Sequence, residues 1–249
     1  MNSDVNASGF TDLSLRKAAI VAGLGLLIMA ILAPIANFGV LQKLIVSGDA
    51  TTTANNIMAS AGLFRIGIVC FLIVAILDVV VAWALYSLLK PVNQSLSLLA
   101  AWFRVVYAAI FAIALSNLFT IVQLLNGDVY LKAFETNQLS AQVMLFLDAF
   151  KNGWDFGLVI FGIHLFVLGY LAFKSGYIPK FLGILVIIAG LGYLTDGFGK
   201  ILSPNYNVTI SMFTFIGEAL LIFWLLWRGI KGFDKELTSK ESLIFGYNN

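Results

Sequence analysis

Six apolar runs, each long enough to cross a bilayer, constrain this chain more than any other feature of its sequence. A hydrocarbon core about 30 Å thick takes roughly 20 helical residues. Backbone at that depth must satisfy its own hydrogen bonds, which leaves helices or a closed barrel. A window of about 19 residues places the runs near 15–40, 62–89, 97–125, 153–174, 180–201 and 208–229. Their length selects helices, since a barrel strand needs only about 10 residues. Of the 249 residues, 60% are hydrophobic and 11% charged, whereas soluble domains are about half apolar and a quarter charged. The expected fold is therefore an all-α polytopic transmembrane bundle of six spans. It divides into a cytoplasmic tail over 1–14, one bundle over 15–229 and a second cytoplasmic tail over 230–249, with no length left for a soluble domain.

Lysine and arginine set the expected orientation. With the N-terminus inside, the cytoplasmic side receives Arg16, Lys17, Lys90, Lys174, Lys180, Arg228, Lys231, Lys235 and Lys240, and the other side only Lys43, Lys132, Lys151 and Lys200. Both termini are thus predicted inside. The first apolar run follows Arg16 and Lys17 like a signal peptide, but it exceeds the usual apolar stretch of about 7 to 15 residues. It is read as a retained span. Inner turns are short, "KPVNQS" with Pro91 and "KSGYIPK" with Pro179. The longer outer connection from Asn126 carries Val143, Leu145, Phe146, Leu147 and Phe150 among polar residues, which predicts an interfacial helix near 134–151. A seventh span there is the competing reading, opposed by Gln142, Asp148 and Lys151.

Several function classes lack support. The net charge is +2, with basic residues at span ends rather than in a patch, so no nucleic-acid partner is expected. Cys70 is the only cysteine and His164 the only histidine, without "HExxH", so neither a metal site nor a cofactor is expected. No "GxSxG" marks a serine nucleophile. The small pairs Ala19/Gly23, Ala108/Ala112 and Gly153/Gly157 predict close helix contact.

What remains are charges inside the spans. Each costs roughly 2.5–3.5 kcal/mol at the bilayer centre on insertion scales, so each needs a partner or a wet cavity. Arg65 and Asp78 share the run "FRIGIVCFLIVAILDVVVAW", yet stand about 20 Å apart along a helix and cannot pair. Across the hairpin at Pro91, Asp78 lies about 16 Å and Arg104 about 12 Å from the turn, within a guanidinium's reach. His164 and Glu218 each lie ten residues before a basic residue, Lys174 and Arg228, and fall at a similar depth. Asp78, Arg104, His164 and Glu218 can therefore share one layer, as a ligand- or proton-binding site or as a polar clasp that fixes helix register. Arg65 lies nearer the outer surface, where Asp155 and Asp196 complete a candidate outer polar cluster; snorkelling of Arg65 to the interface is the alternative.

The segments "SGDATTTANNIMAS", "LFRIGI", "DVVVAWALYSLLKPVNQSLSLLAAWFRVVYA" and "GIHLFVLGYLAFKSGYIPKFLGILVIIAGLGYL" resemble a bacterial membrane family catalogued as domain of unknown function 4386. The resemblance spans nearly the whole chain. It implies a multi-pass protein of the bacterial inner membrane and places Arg65, Asp78, Arg104 and His164 inside family-like segments. It implies no activity.

Three functions are compatible with these features. The first is a bundle that binds or translocates a small apolar or amphipathic molecule through the buried layer. The second is a non-catalytic envelope or stress component acting through a protein partner, a second copy or lipids. The third is an intramembrane enzyme acting on a lipid or quinone, for which the sequence shows no catalytic signature.

Overall fold

The computed structural model describes residues 13–127, 130, 134–203 and 205–233. Six helices are long and apolar enough to cross a membrane: α1 (Leu15–Leu44), α3 (Ala61–Leu89), α4 (Gln94–Asn126), α5 (Thr136–Lys174), α6 (Lys180–Leu202) and α7 (Ser211–Lys231). A short α2 (Ala50–Ala59) links the first two spans. No strand occurs among the described residues. All six expected spans are present. The predicted tails are seen only at 13–14 and 230–233, because the rest lies outside the described residues.

The spans form a closed ring in chain order. α1 packs on α3, α3 on α4, α4 on α5, α5 on α6 and α6 on α7, and α7 returns to α1. At the closure Arg16 Nε donates to the Gly229 carbonyl at 3.0 Å, so the start of α1 and the end of α7 share one face.

Local sequence explains most helix ends. Ser14, Asp49 and Asn93 accept from Lys17, Thr52 and Leu96 backbone amides as N-caps, each satisfying one of the donors a helix start leaves open. "ETNQ" forms a capping box between Glu135 and Gln138 at the start of α5. The hydrogen bonds from Thr52 hold the Asp49 carboxyl below its ordinary range. In the turn after α5, Gly176 has φ +76°, a conformation that disfavours any side chain.

Two helices depart from the sequence expectation. Pro34 lacks the N–H for a helical hydrogen bond, and α1 continues from it as a π-helix over Ile35–Leu41. The helix expected near 134–151 exists, but as the leading turns of α5. At 39 residues α5 is about 58 Å long, so these turns run past the apolar core. The separate short helix is instead α2, which lies against α5.

Small residues set the close contacts. A Cβ at Gly153 would stand 2.9 Å from Ala114 Cβ, and one at Gly23 would meet Leu226. A further close seam was not anticipated. On α5 and α6, Gly169 faces Gly183 and Gly162 faces Gly190, with a Cβ at Gly169 only 2.7 Å from the Gly183 carbonyl oxygen. These pairs are seven apart on each helix and meet only once the two helices are laid together.

Candidate functional site

The layer is organised by Arg104. Asp78 lies 11 residues before the end of α3 and Arg104 ten after the start of α4, so the Pro91 hairpin brings them to similar depth. Arg104 Nη2 stands 2.7 Å from Asp78 Oδ1, with the side chains 2% and 0% exposed. His164 of α5 completes a triad. Its Nδ1 lies 2.8 Å from the Ala100 carbonyl, which can only accept, so Nδ1 donates. Nε2 is left to accept from Arg104 Nη1 at 3.3 Å, and the ring is neutral in this arrangement. The guanidinium also lies 5.3 Å from the Phe161 ring centroid, and Nη2 points to Met29 Sδ of α1 at 3.9 Å.

The layer is under-satisfied. Asp78 and Arg104 are in charge contact, but neither Asp78 oxygen receives a well-directed hydrogen bond and Arg104 Nε has no acceptor. Glu218 of α7 is half-buried, and its buried Oε1 also lacks a donor. Tyr193 of α6 faces Glu218, and Arg104 and Asp78 are within electrostatic range of it. Thus Asp78, Arg104 and His164 are in direct contact and Glu218 adjoins them, but His164 is bonded to Arg104 and Ala100 rather than to Glu218. Tyr107, on the Arg104 face of α4, belongs to the same neighbourhood. Its place three residues beyond Arg104 on one helix face is legible in the sequence.

The proposed outer cluster does not assemble around Arg65. That side chain is exposed on α3, which does not adjoin α6. Asp155 pairs with Lys200 Nζ at 2.7 Å. Asp196 accepts from Tyr206 Oη at 2.7 Å, Ile210 N at 2.9 Å and Ser211 N at 2.7 Å, tying the last outer loop to the start of α7. That bond from Tyr206 holds its phenol above the ordinary range.

A cleft of about 690 Å³ opens between the π-helical part of α1 and the first half of α5. Leu41, Ile45, Leu147 and Phe150 supply apolar wall, and Asn37, Gln42, Asp148 and Lys151 supply polar groups. Trp154 lines it too. It lies among Phe71, Phe111 and Phe150, with ring centroids 5.2–5.7 Å away. Its Nε1 is buried on the side of Tyr107, within hydrogen-bonding reach of that phenol. Phe111 stacks on Tyr107 at 6.0 Å, so aromatic rings run from the cleft to the layer.

Six spans ringed about buried charges define a polytopic all-α membrane protein. The chain belongs to the family described as Domain of unknown function (DUF4386), which matches residues 21–229. It is 42% identical over 164 residues to an uncharacterized protein of Archaeoglobus fulgidus, covering 66% of this chain and 84% of that protein. No solved structure matches. Among the described residues no group of three His, Cys, Asp or Glu side chains could hold a metal ion.

Proposed function

We propose that this protein binds, and passes toward its buried layer, a small apolar or amphipathic molecule drawn from the cytoplasmic membrane in which it sits. The Lys and Arg distribution supports a cytoplasmic location for both termini. The observation that carries the reading is Trp154, which lines the cleft and reaches into the aromatic path to Tyr107 and Arg104. The cleft volume is within the range of about 300–1,000 Å³ typical of small-molecule sites. Its mixture of apolar wall and amide or charged groups suits an amphiphile better than a fully polar solute. Arg104 Nε and Glu218 Oε1 keep hydrogen-bonding capacity that suits the polar end of such a molecule.

Native mass spectrometry of the gently extracted protein tests this. The expected result is a specific retained lipid, quinone or metabolite, lost in Trp154→Ala. Stable wild-type protein that retains nothing beyond randomly bound annular lipid would sink the reading and turn attention to partners at the outer loops.

A further inference from the structure

We propose that Glu218 carries an exchangeable proton within the bilayer, while Asp78 remains the ionised partner of Arg104 and His164 serves as a fixed neutral group. This goes beyond ligand binding and stands whether or not the cleft takes an amphiphile.

The first argument is charge balance. With both carboxyls ionised, Asp78 and Glu218 bring two negative charges to a layer whose one cation is Arg104. His164 does not restore balance. Nδ1–H is committed to the Ala100 carbonyl and Nε2 accepts from Arg104, so protonating Nε2 would set N–H against N–H and add a cation beside a guanidinium. The other groups near Glu218 cannot supply a positive charge either. They are Tyr193 and, further along α6, Asp196, and Tyr107 on α4; the cations of the neighbouring α1, Arg16, Lys17 and Lys43, lie toward its ends. An uncompensated negative charge at that depth is unfavourable, and one proton removes it.

The second argument identifies which carboxyl holds it. Asp78 is wholly buried and touches the guanidinium at 2.7 Å, a contact that favours its ionised form. Glu218 has no such contact, and its Oε1 is buried without a donor. Its residue as a whole is half-buried where Asp78 is sealed. Glu218 has Tyr193 at hand as a hydrogen-bonding partner in either state. The proton comes from water and returns to it, with no other bond made or broken.

Infrared spectroscopy of the purified protein in lipid nanodiscs at neutral pH provides the test, through the carbonyl stretch of a protonated carboxylic acid. The band is expected in the unsubstituted protein and should fade as pH rises. Carboxyl-¹³C glutamate should shift it, whereas labelled aspartate should not. Of the other glutamates, Glu135 precedes α5, and Glu236 and Glu241 follow in sequence the last described residue, Phe233. Glu218→Gln should abolish the band, and Asp78→Asn, which leaves Arg104 to balance an ionised Glu218, should make it fade at lower pH. Isotope labelling needs no substitution, so the test survives a variant that fails to fold. Absence of a protonated-carboxyl band at neutral pH, or a band shifted only by labelled aspartate, overturns the proposal. Neither result bears on amphiphile retention, which mass spectrometry reads separately.

Discussion

Asp78 and Asp196 are both buried aspartates in the same ring of helices, and their surroundings could hardly differ more. Asp196 accepts three directed hydrogen bonds, two of them from backbone amides at Ile210 and Ser211. Such amides at a helix start would otherwise lack acceptors, and they favour a nearby negative charge. Its role is complete as seen: it fastens the outer loop and caps α7. Asp78 meets a guanidinium but takes no directed hydrogen bond. A saturated carboxylate explains a fold. One held by a charge contact alone, near a Glu218 partnered only by Tyr193, is less fully accounted for, and this contrast is why function is sought in the layer and not at the outer rim.

The contrast is broken most directly at Arg104. Arg104→Met strands Asp78 as an unpaired buried charge, and we expect a loss of about 3–5 kcal/mol in reversible unfolding from mixed micelles. Adding Asp78→Leu should restore most of it, because removing both members of a buried pair is often close to neutral. If Arg104→Met alone were tolerated, Asp78 would have support the observed contacts do not contain.

Asp196→Ala is the counterpart, with an expected loss of about 2 kcal/mol, given that hydrogen bonds to a charged group contribute about 1.5–3 kcal/mol each and water can reach part of this loop. Hydrogen exchange should speed up at the Ile210 and Ser211 amides while the Asp78 layer stays protected. Equal loosening of both regions would mean that the outer fastening and the inner layer are one cooperative unit.

How far the sequence already implied this contrast depends on the kind of information each residue needs. Depth along a helix is linear arithmetic, so the level shared by Asp78, Arg104 and His164 was legible, as was the Pro91 hairpin that joins the first two. Rotation about the helix axis is not, because small errors in helix ends turn a side chain toward a different neighbour. Depth alone therefore put His164 level with Glu218 but not which neighbour it meets, and it is bonded to Arg104 and Ala100. Arg65, Asp155 and Asp196 shared a level but not a side of the ring, and each found its own environment. The cleft depends on Pro34 and the π-helix after it, whose path no periodicity rule supplies. The cap at Asp49 that begins α2 was readable in "GDATTT", and only the polar character of the segment hid the helix.

The smallest effect belongs to the exposed charges of the outer rim. Lys200 and Asp155 meet at 2.7 Å, but their side chains are 34% and 22% exposed. Water and salt screen such a pair, and ordering a long lysine chain offsets part of the attraction, so Lys200→Ala should cost about 0.2–1 kcal/mol and less at high salt. Arg65→Gln, with no ion pair to lose among the described residues, should change stability by less than about 0.5 kcal/mol. Both values come from the same unfolding titration used for Arg104, which makes the ratio between them meaningful. A loss at Lys200 as large as at Asp196 would show that the rim pair is held in a less aqueous setting than its exposure implies. It would also remove the outer rim as the solvated reference against which the Asp78 layer stands out.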